Sequence, residues 1–212
     1  MTRITLIFAF LASFLGAKAQ QETGTWSITP RIGINSSVLS VDDVLYMDDS
    51  GKTESMKVKH KWGLTAGIET QYQMWSQLGL SMGLMYSNEG FQFDEMDDLG
   101  DWKQSLHFLS VPILANFYIE PNMLPGLSLK AGVQVGYLLQ GRETQMGNTA
   151  TNTDSFHRVG LSIPAAISYE YRHIVVDLRY NIGLTNLCSH KVLDETWRSN
   201  SLWLTLGYQF GM

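Results

Sequence analysis

Over most of its length the chain places an apolar residue at every second position, and the residues between are small or polar. From Trp26 to Asn35, Trp26, Ile28, Pro30, Ile32 and Ile34 alternate with Ser27, Thr29, Arg31, Gly33 and Asn35. From His60 to Met74, Trp62, Leu64, Ala66, Ile68, Tyr72 and Met74 stand against Gly63, Thr65, Gly67, Glu69, Gln71 and Gln73. The last stretch, Ser199 to Met212, sets Leu202, Leu204, Leu206, Tyr208, Phe210 and Met212 against Trp203, Thr205, Gly207, Gln209 and Gly211. A repeat of two is that of a strand, whereas a helix would repeat near 3.6. Five further stretches follow the same rule, at 77–87, 106–119, 127–140, 156–171 and 174–184, which makes eight predicted strands.

The apolar set is continuous and the opposite set is not a protein surface: it is glycine, serine, threonine and glutamine with scattered charges. Such a sheet turns its apolar side to lipid and its polar side to a crowded or watery interior. The connections alternate in length. Ser36–Lys59, Asn88–Gln104, Gly141–Ser155 and Thr185–Arg198 are long, while Trp75–Ser76, Pro121–Gly126 and Arg172–His173 are short. An even number of strands with that rhythm predicts an all-β fold, an eight-stranded antiparallel up-and-down transmembrane β-barrel with four long loops at one end. Trp26, Tyr72, Trp75, Phe117, Tyr169, Tyr171, Tyr208 and Phe210 would form an aromatic girdle at the other end, with Trp62, Tyr86 and Tyr137 towards the loops. Pro30, Pro112 and Pro164 fall inside strands, where each removes a ladder donor, so bulges are expected there.

The first residues add a destination. Met1-Thr2-Arg3, an apolar run from Ile4 to Leu15 and Ala17-Lys18-Ala19 are the n-region, h-region and cleavage site of a secretory signal peptide. The expected domains are therefore a signal peptide over 1–19 and an outer-membrane barrel over 20–212, with both mature termini in the periplasm. Cys188 is the one cysteine, so no intrachain disulfide is available and stability must come from the closed ladder. The net charge of −5 argues against nucleic acid as a partner.

Inward positions carry Arg31, Glu69, Lys130, Arg158, Glu170, Asp177 and Arg179, nearly balanced in sign. Eight strands leave a lumen just wide enough for side chains to fill it, so these seven are expected to pair as an ionic plug. His60, His107, His157 and His190 map near the loop end and invite a metal site or a histidine-based lipid-modifying enzyme. They lack ligand spacing, and no serine sits in a recognisable nucleophile motif, so no catalytic residue, metal or cofactor is expected. The acidic run Asp94, Glu95, Asp97, Asp98 and Asp101 lacks the spacing of a calcium loop and reads as a solvated loop face. Lys57, Lys59 and Lys61 lie where lipid A phosphates would be, which suits contact with lipopolysaccharide; flanking a strand for solubility is an equal account.

Several stretches together resemble the PorT-like outer-membrane β-barrel family typical of Bacteroidota. They are Arg31–Ser36, Leu109-Ser110-Val111-Pro112-Ile113-Leu114, Lys130-Ala131-Gly132-Val133, Arg179–Asn186 and the closing Leu206-Gly207-Tyr208-Gln209-Phe210. The resemblance spans the mature chain and implies a barrel of the OmpA/OmpX type in the outer membrane. Many relatives have a lysine after the Pro-x-Leu-x pattern of the fourth strand, where this chain has Asn116. The leading functional expectation is a structural or interaction protein that anchors surface loops, as a monomeric barrel in contact with outer-membrane lipid and with a protein partner at the loops. The family resemblance implies as an alternative a component associated with protein secretion or envelope assembly, and the rim histidines a third, a lipid A-modifying hydrolase.

Overall fold

The computed structural model describes residues 22–40, 45–47, 53–55, 58–96, 100–119, 124–145, 148–187 and 197–211. The expected signal peptide, Lys57, Asp97, Asp98, Cys188 and His190 lie outside them. Eight long strands form the wall: β1 Trp26–Ser40, β2 Val58–Trp75, β3 Leu78–Met96, β4 Gly100–Tyr118, β5 Leu127–Gln145, β6 Val159–Tyr171, β7 Ile174–Gly183 and β8 Arg198–Tyr208. Each pairs antiparallel with the next, and β8 returns to β1 through ten consecutive pairs from Arg31↔Gly207 to Ser40↔Arg198. The sheet is closed, so no edge remains to be protected.

Side-chain direction follows the alternation. Ile32, Leu64, Met82, Ile113, Val133, Ile167, Leu178 and Leu206 are exposed on the outside, while Thr29, Glu69, Ser81, Asn116, Lys130, Ser168, Asp177 and Thr205 are buried inside. The expected girdle gathers at the turn end. Trp26 lies 5.0 Å from Tyr72 by ring centroids, and Tyr208 lies 4.7 Å from Phe210 and 5.5 Å from His173. Arg172, at φ 59°, supplies the left-handed residue of the tight turn between β6 and β7.

The prolines do not make bulges. Pro30 pairs with Ile68, Pro112 with Gln134 and Pro164 with Asn181 in unbroken register. Each costs a lapse in pairing on its other side instead. Pairing stops between Met82↔Ile113 and Met85↔Ser110, and Gly83, whose absent Cβ would sit 3.3 Å from the Pro112 ring, is the residue facing that proline. The register shifts fall elsewhere, at His60/Thr65, Gln73/Trp75, Phe93/Met96 and His107/Phe108.

Two expected loops are largely strand. The Asn88–Gln104 segment belongs to β3 and β4, paired from Asn88↔His107 to Met96↔Gly100. Most of Gly141–Ser155 is likewise ordered: β5 runs to Gln145 and Asn148–Thr151 folds back on it. The wall is consequently uneven. β2 to β5 hold 18 or 19 residues each, against 13, 10 and 11 for β6, β7 and β8. A tilted membrane strand needs about 9–11 residues, so the short side spans and the tall side projects beyond the lipid by several residues.

Candidate functional site

The inward side chains of β8, read from the loop end, are Ser199, Ser201, Trp203, Thr205 and Gly207, and their neighbours sort the lumen into levels. Nearest the turns is a neutral amide layer. Gln71 donates to the Tyr118 hydroxyl at 2.6 Å and to Gln73 Oε1 at 3.0 Å, and receives Asn116 Nδ2 at 2.7 Å. Asn116 thus completes an uncharged network. Gln209 donates to Glu170 at 2.9 Å in the same region.

Above this layer lies a cluster of five charges. Glu69 accepts from Arg31 Nη2 at 2.9 Å, Lys130 Nζ at 2.9 Å and Arg179 Nη2 at 2.8 Å. Asp177 faces the same cations, with Arg179 Nε at 3.3 Å, Lys130 Nζ at 3.6 Å and Arg31 Nη1 at 3.7 Å. All five side chains are 3% exposed or less. The register explains how they meet. Arg31 is flanked in the sheet by Gly67 on β2 and Gly207 on β8, so nothing beside it obstructs its long side chain. Lys130 and Arg179 sit on either side of the small Ala166. Charge-assisted bonds to a shared carboxylate in a dry site are strong, and removing that carboxylate leaves three buried cations without it.

Arg158 does not join this cluster. β6 begins one residue later, and Arg158 lies exposed at its rim, 3.2 Å from Asp154. Glu170 stays apart too, held by Gln209 among the amides. Lys61, expected at the outer surface with Lys57 and Lys59, is buried: Nζ donates to Asn88 Oδ1 at 2.8 Å and to the Glu89 carbonyl at 3.2 Å. Its neighbour Trp62 points to lipid, so strand parity already placed Lys61 inside. Lys59 is exposed, as expected. Sequence reading also missed Glu89, a lumenal carboxylate that accepts from Ser87 at 3.0 Å and Ser199 at 3.2 Å. It sat within a run read as solvated loop, which hid it.

Fully buried Trp203 lies over the charges, with the Arg179 guanidinium 5.9 Å from its ring. At the loop end, Leu106, Phe108, Leu138, Phe156 and Leu187 close into an apolar cluster with Trp197 against it. Phe91 bridges Trp102 and Trp197 at 5.6 and 6.0 Å, and Trp102 donates to Glu143. The rim histidines are dispersed. His107 bonds the Tyr86 hydroxyl at 2.6 Å, and His60 lies 3.2 Å from Ser36 Oγ with no carboxylate bonded to it among the described residues. That is one bond of a nucleophile triad without the group that orients the base. Among the described residues no three His, Cys, Asp or Glu gather as a metal site.

The sequence model of the outer membrane protein β-barrel domain matches residues 18–189, most of the chain. The chain belongs to that family. The membrane-facing alternation, the closed ladder and the filled lumen are therefore those of an outer-membrane barrel. Among solved structures, Ail, the attachment invasion locus protein of Yersinia pestis, is similar at 18% identity and TM-score 0.47, over 89% of this chain and 100% of that one. Neisserial surface protein A is similar at 12% identity and TM-score 0.49, over 87% and 97%. OprG from Pseudomonas aeruginosa is similar at 15% and 0.45, over 91% and 98%. No curated protein matches the chain.

Proposed function

We propose that this outer-membrane barrel is a non-conducting, non-catalytic anchor whose business is done by its loop end, with both termini in the periplasm and the tall β2–β5 wall outside the cell. The observation that carries the reading is the double closure of the lumen, by the five-charge cluster at Glu69 and by the apolar cluster around Phe108 and Leu138. A barrel plugged at two levels offers no through-path, and a projecting wall presents side chains well beyond the bilayer. The partner is a protein or lipopolysaccharide at that wall, on whose outside Lys59 is exposed.

Planar-bilayer recordings of the refolded protein should show no steady channel. Shortening the 41–54 and 94–101 segments should leave a heat-modifiable folded barrel but reproduce the phenotype of deleting the gene; full rescue by the shortened barrel would sink the reading. A cysteine at Ser50, with Cys188 replaced, should react with an impermeant reagent on whole cells, whereas one at Asn122 should not. The PorT-like stretches favour a second reading, a component of secretion or envelope assembly. Its mark would be loss of an exported substrate on deletion.

A further inference from the structure

Between Trp203 and the apolar cluster the lumen holds a cavity of about 50 Å³, outside the five-charge cluster. Its origin is local: Gly136 of β5 pairs directly with Gly160 of β6, and Gly183 of β7 pairs with Ser162 one inward step away, so three adjacent strands lack bulk at two adjoining levels. A Cβ at Gly160 would make only ordinary contacts, 3.5 Å from Leu187 and Thr185, so the space there is real. Among the oxygen-bearing side chains that line it, three stand out. Glu89 is 7% exposed, and its carboxylate is surrounded by the Ser87, Ser199 and Ser201 hydroxyls and the Trp203 indole, with no salt bridge among the described residues; the nearby Lys61 ammonium bonds the backbone carbonyl of Glu89 and Asn88 instead. Gln134 Oε1 and Asn181 Oδ1, on side chains 5% and 2% exposed, have no hydrogen-bond partner among the described residues. The facing wall is apolar, formed by Phe108 and Leu187.

We propose that this cavity binds a small primary ammonium ion, its head on Glu89, Gln134 and Asn181 and its short alkyl end against Phe108 and Leu187. A buried carboxylate is costly without a cation, and two buried carbonyl oxygens without donors are costly too; one ammonium group, with three N–H donors, relieves all of these at once. A hard metal ion fits less well, because it offers nothing to the apolar Phe108 and Leu187 side chains. The volume equals that of a few waters, which admits methylammonium or ethylammonium.

The test is titration of the refolded, ¹⁵N-labelled barrel in micelles with methylammonium chloride at constant ionic strength, with potassium chloride and calcium chloride as parallel titrants. Saturable shifts of the Gln134 and Asn181 side-chain amides with methylammonium, weakened at least tenfold in Glu89→Gln, are the expected result. Gly160→Val, which fills the space while leaving Glu89 in place, should weaken binding to a similar degree, and heat-modifiable mobility verifies that each variant is folded. An unsaturable response, an equal response to potassium, a tighter response to calcium, or binding unchanged in both variants would overturn the proposal.

Discussion

Glu69 and Glu89 are both glutamates buried in one lumen, on neighbouring strands, yet their surroundings differ. Three cations converge on Glu69 within 2.9 Å, from β1, β5 and β7, so its charge is neutralised by groups far apart in sequence. Glu89 has hydroxyls and a cavity. The contrast teaches that burial alone does not define a structural charge. What matters is whether removing it strands its neighbours: at Glu69 three cations bond the carboxylate directly, whereas at Glu89 the one nearby cation, Lys61, bonds Asn88 and a backbone carbonyl instead.

The largest expected effect is therefore at the first site. Glu69→Gln should lower stability by about 3–5 kcal/mol, measured by urea unfolding in phospholipid vesicles, because it leaves buried cations short of a counter-charge. A loss no larger than at exposed positions would erase the distinction. Next comes the wall between the two environments. Leu84→Arg, on the lipid face at the level of Ile68, should cost about 2–4 kcal/mol in the same assay. Its lumenal near neighbour Ser81 should lose only about 1 kcal/mol as alanine, since one hydrogen bond to Asn116 goes. Equal sensitivity at Leu84 and Ser81 would mean that the alternation does not separate lipid from lumen. Smallest of all, Glu89→Gln should move stability by no more than about 1 kcal/mol in amine-free buffer, because the one nearby cation, Lys61, keeps its bonds to Asn88 and to the backbone carbonyl of residue 89. A loss approaching that of Glu69→Gln would show that Glu89 is paired after all.

The alternation carried the fold because lipid is a strict solvent: every second residue must be apolar wherever the strand crosses it, and Trp62, Leu64 and Ile68 report that directly. Beyond the bilayer both faces meet water or protein, so the rule lapses. Asp94, Glu95 and Asp101 therefore read as loop although β3 and β4 run through them. The inward charges were legible as a set, but their partners were not, since which of them meet depends on cross-strand register and on gaps such as Gly67, Gly207 and Ala166. Arg158 shows the limit: it has the right parity, yet the strand starts one residue too late to hold it inside. The prolines show another. A ladder donor can be lost on one side without a register shift when a glycine such as Gly83 faces the ring.

Pro30 stands where the two ends of the chain join. Toward the loops the seam between β1 and β8 holds ten consecutive pairs starting at Arg31, and toward the turns only Ser27↔Gly211 and Ile28↔Phe210 remain. A cylinder sealed by its first and last strands zips from its better-stitched end, so the order of assembly is written into this asymmetry: the seam should nucleate near Asn35 and Trp203 and finish at the aromatic tail. Amide exchange of the last few residues should accordingly be the fastest along β8, the trace of the step by which the nascent barrel shuts.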